Sequence, residues 1–259
     1  MMLFRRGVFG IADSMSWVNG KVTIASLQQM KRDGRKIVGA VVYNYQMARI
    51  VDHAGVDIVS VGDSVGVNMW AHREERELTL EQMVLVCNAV RCGVSNALVS
   101  CDVPIAVDDP VEAARTLARR GGAQMVKIEA GPDVIRAIID AGVPVWAQLG
   151  SDPAIMTVDV AERRAKLLED AGASLLDFRH SGPVVGHAVA QAVSIPVLGG
   201  LGGGPWLDGR VRAVVNAIGY TAAALDDTAD RYANVARVAL DAITSYAADV
   251  RGGRQVRGK

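Results

Sequence analysis

The 259-residue sequence predicts one α/β domain, a (β/α)8 TIM barrel with extra helices at its ends. Seven short, apolar, β-branched runs alternate with stretches whose apolar residues recur at helical spacing, as in parallel strands joined by crossover helices. The dipeptide Ala-Gly followed by an apolar run recurs at Ala54-Gly55, Ala141-Gly142 and Ala171-Gly172, marking a repeated helix-to-strand turn. No Gly/Ser-rich linker or charge run separates these units. A closed barrel therefore comes first, with a doubly wound open sheet as the alternative.

In chain order, residues 1–20 read as an N-terminal extension. Arg5 and Arg6 are followed by no continuous apolar stretch and no small-residue cleavage site, so no signal peptide is expected. The barrel occupies residues 21–250, with strands at 36–42, 57–62, 97–102, 125–130, 144–150, 174–180 and 196–201. Helices lie between them at 45–55, 80–93, 110–122, 132–142, 160–172 and 183–193, most of them ending at a glycine suited to a left-handed cap. The stretch VVNAIGYTAAALDD supplies the eighth strand around Ala217–Tyr220, or only a helix end. A patterned helix over Thr228–Val250 is expected to pack on the barrel or on a partner subunit, and 251–259 reads as a basic, flexible tail.

Composition narrows the partners. Half the residues are hydrophobic and Lys plus Arg balance Asp plus Glu at 28 each, so no global field favours nucleic acid or an anionic membrane. No apolar run reaches the roughly 18 residues of a membrane span. A small-molecule partner is the better expectation. Cys87, Cys92 and Cys101 form no CxxC pair, and an odd, sparse count suits reduced thiols in a cytoplasm. Cys101 lies beside Asp102 and could face a site, although a strand cysteine without a partnering histidine reads first as core.

Three strand-like runs end in an acid: DIVSVGDS at Asp63, ALVSCD at Asp102 and MVKIE at Glu129. On a β/α scaffold these carboxylates gather at the carboxyl-end rim, which suggests a site for a hard divalent cation. Any one of them alone would read as a helix cap or surface pair; the repetition in successive units lifts the metal reading above that. Gly62 lets the backbone approach a ligand, Ser64 offers a hydroxyl, and Lys127 shares a strand face with Glu129 by the two-residue repeat. Glycines 199, 200 and 202–204 form a loop after the seventh strand where barrels often admit a ligand. They lack the downstream acid of a dinucleotide site.

The segments YNYQMARIVDHAGVDIVSVGDSVG, AHREERELTLEQM, AVRCGVSNALVSCDVP, MVKIEAG and IPVLGGLGGGPWLDGR resemble ketopantoate hydroxymethyltransferase over most of the chain, from Thr23 to about Tyr220. The resemblance implies a (β/α)8 barrel, commonly a homo-oligomeric decamer. It also implies the addition of a hydroxymethyl group from methylene-tetrahydrofolate to a 2-oxo acid with magnesium, in pantothenate biosynthesis. It assigns the metal to Asp63 and Asp102 with Glu129 close by, and the oxo-acid oxygens to Ser64 and Lys127. Such a metal would stabilise an enolate as a Lewis acid, with the lysine charge beside it.

Three departures stand out. The family's sixth-strand glutamate, which removes the C3 proton, is Arg179 here, and a guanidinium is no base near neutral pH. The family's histidine at the fifth strand is Gln148, retained among the substrate-facing positions. Residues 151–159 are shorter than the family's flap. Arg179 could read an extra anionic group, pair with Asp177 two residues earlier, or point outward while His180 turns in as the replacement base. His72 matches a family position in a loop; His53 and His187 read as packing or surface residues.

Three functions follow. The first is the family's hydroxymethyl transfer. The second is a lyase or decarboxylase on a larger acidic 2-oxo acid, where C–C cleavage yields the enolate without proton abstraction. The third is a non-catalytic barrel. The phosphoenolpyruvate mutase and isocitrate lyase group shares the metal logic, but its Lys-Lys-Cys-Gly-His type of loop is missing here.

Overall fold

The computed structural model describes residues 20–150, 156–200 and 204–254. Eight parallel strands close into a barrel in chain order: β1 (Ile37–Val42), β2 (Ile58–Val61), β3 (Leu98–Asp102), β4 (Met125–Ile128), β5 (Val145–Gln148), β6 (Leu175–Asp177), β7 (Val197–Gly199) and β8 (Gly209–Ala213). The helices are α1 (Ile24–Arg32), α2 (Tyr45–His53), α3 (Val65–Met69), α4 (Leu80–Gly93), α5 (Pro110–Thr116), α6 (Pro132–Asp140), α7 (Val158–Asp170), α8 (Pro183–Ala192), α9 (Val214–Ala217) and α10 (Val235–Arg251).

Local chemistry sets the element ends. Thr79 and Gln82 form a reciprocal capping box at the start of α4, and Asp109 caps α5 ahead of Pro110. Gly55, Gly142 and Gly172 adopt φ of +82°, +85° and +101° immediately after α2, α6 and α7. The Ala-Gly signal is thus a left-handed helix stop, which costs a residue with a Cβ more than it costs glycine.

Two apolar layers surround the strands. The barrel is plugged at its amino end by Ile37, Ile58, Leu98, Trp146, Leu175 and Leu198, closed from below by Leu27 and Met30 of α1. Burying each such side chain is worth about 1.5–3 kcal/mol. Lys31 fastens α1 to the wall, donating to the Ala190 and Ile195 carbonyls at 2.8 Å and pairing with Asp208 at 2.9 Å. The second layer lies between strands and outer helices and contains Cys87 and Cys101. Burial pushes the Cys101 thiol well above its usual range, so this cysteine is a core residue and not a nucleophile.

Two sequence expectations need correction. The eighth strand is Gly209–Ala213, and the stretch up to Tyr220 is the helix end of the two alternatives, closing the short α9. It pairs with β1 over Ile37 to Val41, and its exposed positions carry Arg210 and Arg212, which interrupt any apolar run. The last helix begins at Val235, where the Asn234 side chain accepts from Arg237 N–H, and not at Thr228. No residue of α10 is buried: Val238, Ile243, Tyr246 and Val250 are exposed, so of the two expected packings, on the barrel or on a partner subunit, the first is not seen.

The close approach of β8 to β1 leaves no room at Gly209, where a Cβ would sit 2.2 Å from the Ile37 carbonyl oxygen. Gly209→Ala should therefore cost about 1–3 kcal/mol in urea unfolding. An unchanged midpoint would contradict this closure of the barrel.

Candidate active site

At the carboxyl end of the strands lies a cavity of about 430 Å³, lined among others by Gly62, Asp63, Ser64, Asp102, Lys127 and Arg179. Asp102 and Lys127 are register partners on β3 and β4, which brings Lys127 Nζ to 3.1 Å from Asp102 Oδ2. Across the barrel, β6 contributes Asp177, 1% exposed, whose Oδ2 lies 3.9 Å from Lys127 Nζ and 3.3 Å from Arg179 Nε. The Gly200 amide donates to Asp177 Oδ1 at 3.3 Å. With its amide oxygen turned to Arg179, Gln148 accepts from Nε at 3.0 Å and also from Nη2. Charges therefore alternate along Asp102, Lys127, Asp177 and Arg179, each buried ion facing one of opposite sign.

Burial pushes the Asp102 carboxyl up to about 7; Lys127 pulls it down and Asp63 pushes it further up. Asp63 is also raised, by burial first and then by Glu75, which lines the same cavity. Burial works against the Lys127 ammonium, but Asp102 and Asp177 outweigh it and hold its pKa above the usual lysine value. Lys127 is a fixed cation at working pH, its Nζ 5.4 Å from the centroid of the Trp146 ring.

Of the residues expected at the site, Gly62, Asp63, Ser64, Asp102, Lys127 and Arg179 line one cavity. Glu129 does not. Strand β4 stops at Ile128, so the alternation of faces ends there, and the Glu129 carboxylate lies against Gly150 in a neighbouring cavity that Gln148 also lines. Gln148 reaches the main cavity only through Arg179. His180 does not turn in: it sits at φ +50° in the loop after β6 and lines a small pocket with Phe178 and Met156. Arg179 both pairs with Asp177 and lines the cavity, combining two of its three readings. Gly202 and Gly203 of the glycine loop and residues 151–155 lie outside the described residues.

No group of three or more His, Cys, Asp or Glu side chains converges as a cation cage among the described residues. Two acids do share the cavity, and Asp102 Oδ1 is buried without a hydrogen-bond partner. That donor set fits magnesium, which commonly takes one or two carboxylates and completes its shell with water and substrate oxygens. Tyr43, Asn68 and Glu75 were not singled out from the sequence. Asn68 reaches Ser64 within the first turn of the short α3, whereas Tyr43, directly after β1, is brought to Ser64 only by the folded barrel.

Fold and site together define a (β/α)8 barrel enzyme scaffold with acids and a buried lysine at the carboxyl ends of its strands. The chain belongs to the ketopantoate hydroxymethyltransferase family, which it matches over residues 21–255. It is 32% identical to a 3-methyl-2-oxobutanoate hydroxymethyltransferase of Alkalilimnicola ehrlichii, over 90% of this chain and 91% of the relative. It is 34% identical to one of Flavobacterium johnsoniae, over 89% and 93%. Among solved structures it resembles a phosphonopyruvate hydrolase in complex with oxalate and Mg2+, at a TM-score of 0.63 and 17% identity, over 89% of this chain and 88% of that one. It also resembles a putative phosphonomutase from Burkholderia cenocepacia, at 0.60 and 19%, over 89% and 98%. At those identities the likeness is one of fold.

Removing Lys127 would leave Asp102 and Asp177 facing each other without the cation between them. Lys127→Met should cost roughly 3–5 kcal/mol at pH 8, where Asp102 must either take up a proton on folding or be buried without its counter-charge. At pH 5 the deficit should shrink, because the Asp102 pKa of about 7 rises further without Lys127 and the acid is buried neutral. Urea unfolding at the two pH values reads the difference. Equal deficits would contradict the charge alternation.

Proposed function

We propose that this protein is a magnesium-dependent enzyme that carries an enolate derived from a 2-oxo acid. Its specific reaction is the addition of a hydroxymethyl group from methylene-tetrahydrofolate to 3-methyl-2-oxobutanoate or an analogue. The observation that carries the reading is the Asp102–Lys127 pair opening onto the same cavity as Asp63 and Ser64. Family membership supports the hydroxymethyl transfer; nothing in the cavity itself identifies the folate donor.

In this reading Asp63 and Asp102 hold the cation, and bound magnesium supplies Lewis acidity at the 2-oxo and carboxylate oxygens. Lys127 places a fixed positive charge where the enolate oxygen develops, and costs no reorganisation because Asp102 and Asp177 already hold it. Ser64 donates to a carboxylate oxygen. Glu129 stands outside this set as a rim acid near the substrate and not as a metal ligand. We also infer assembly as a homo-oligomer through the exposed apolar residues of α10, and a cytoplasmic setting consistent with three free cysteines.

A second reading has its own observation. Arg179 stands where the resemblance places the base and His180 lines another pocket, while the carboxylate at the end of β6, Asp177, is already held by Lys127 and Arg179 and is a poor acceptor for a C3 proton. Cleaving a C–C bond would deliver its electron pair as the enolate without that proton transfer, and Arg179 would bind the second carboxylate of a dicarboxylic substrate.

NMR of 3-methyl-2-oxobutanoate in heavy water, with purified protein, magnesium and no folate, separates the two. The hydroxymethyltransferase reading predicts exchange of the C3 proton that EDTA stops. Absence of exchange in a folded, magnesium-binding protein contradicts it. The cleavage reading then requires that Arg179→Ala raise KM for a dicarboxylic oxo acid at least tenfold more than for a monocarboxylic one.

A further inference from the structure

Beside the charged chain lies a neutral one whose polarity the structure determines. Asn68 Nδ2 donates to the Ser64 carbonyl at 2.9 Å, and since a carbonyl can only accept, this contact fixes which end of the amide carries the hydrogens. The second hydrogen of the same nitrogen goes to Tyr43 Oη at 3.1 Å. Tyr43 is 7% exposed, and the remaining partner of its hydroxyl is Ser64 Oγ at 2.9 Å. A buried phenol that accepts from Asn68 must place its single proton on the available acceptor, so Tyr43 donates to Ser64 Oγ. The hydrogen of Ser64 is then released to turn toward the cavity that Ser64 lines. Gly62 keeps that corner open, because a Cβ there would lie 3.0 Å from Ser64 Oγ.

We propose that Tyr43 and Asn68 are positioning residues that set the Ser64 hydroxyl as an obligate hydrogen-bond donor to the substrate. The corner beside Asp63 therefore selects an acceptor oxygen with a free lone pair. It accepts a carboxylate or carbonyl oxygen and disfavours an N–H or ammonium group in that place. The identity of the acceptor as a 2-oxo-acid carboxylate rests on the function proposed above; the direction of the chain does not.

Two double-mutant cycles test this. In thermal unfolding without ligand, Ser64→Ala strands the buried Tyr43 proton and lowers Tm. Adding Tyr43→Phe removes that stranded donor, so the double variant recovers part of the loss. Additive shifts in Tm would mean that the two hydroxyls share no hydrogen bond, and would overturn the proposal. In calorimetry with magnesium and 3-methyl-2-oxobutanoate, Tyr43→Phe should weaken binding about tenfold, the scale of a hydrogen bond to an anion. The same change in a Ser64→Ala background should weaken it less than twofold. Asn68→Asp, which can only accept, reverses the chain and should also weaken binding, again only when Ser64 is present. A loss that persists without Ser64 would overturn the proposal. If the wild-type protein binds no 2-oxo acid, the proposed function falls and neutron diffraction of the deuterated protein decides the direction of the chain: a deuteron on Tyr43 Oη aimed at Ser64 Oγ supports it, and one on Ser64 Oγ aimed at Tyr43 Oη overturns it.

Discussion

The site depends on burying three charged side chains, with a partly exposed Arg179 beside them, at the mouth of a barrel whose floor is apolar. Asp102, Lys127 and Asp177 are all almost fully buried, and each charge is tolerable only because the next one has the opposite sign. The pairing uses two kinds of proximity. Asp102 and Lys127 meet as register partners on adjacent strands, whereas Lys127 and Asp177 come from β4 and β6 and meet over the intervening β5 on the inner face of the sheet. The apolar plug beneath, around Trp146, gives the lysine stem a low-dielectric seat that makes its charge count at the cavity.

Arg179 changes what the rest of the site can do. A glutamate in that place would add a fourth acid beside Asp177; arginine instead continues the alternation and closes it onto Gln148. Arg179 thus also offsets the charge of the Asp177 carboxylate beside it. Gln148 extends the same chain, since its amide oxygen meets the Arg179 guanidinium.

Much of this was legible in the sequence where local chemistry decides. Seven strands announce themselves as apolar runs between glycine-stopped helices, and Asp63, Asp102 and Lys127 follow from their place at strand ends. What was hidden depends on geometry that no local pattern carries. Strand β8 is written Gly-Arg-Val-Arg-Ala, with arginines on its exposed face and a glycine forced by contact with Ile37, so it lacks the usual apolar signature. Glu129 was misplaced because β4 ends one residue earlier than the alternation assumes. Arg179 and His180 could not be separated by type; the ion pair with Asp177 draws Arg179 to the cavity, and the left-handed backbone at His180 directs that residue elsewhere.

The central claim is that Asp63 and Asp102 hold a divalent cation to which a 2-oxo acid bonds directly. Electron paramagnetic resonance of Mn2+ bound to the purified protein tests it, with 3-methyl-2-oxobutanoate carrying 17O at the carboxylate and oxo positions. The account predicts bound Mn2+ whose lines broaden with the labelled acid, and loss of that signal in the Asp63→Asn, Asp102→Asn double variant. Equal Mn2+ binding in both proteins, or no broadening by the labelled acid in the wild type, would contradict it.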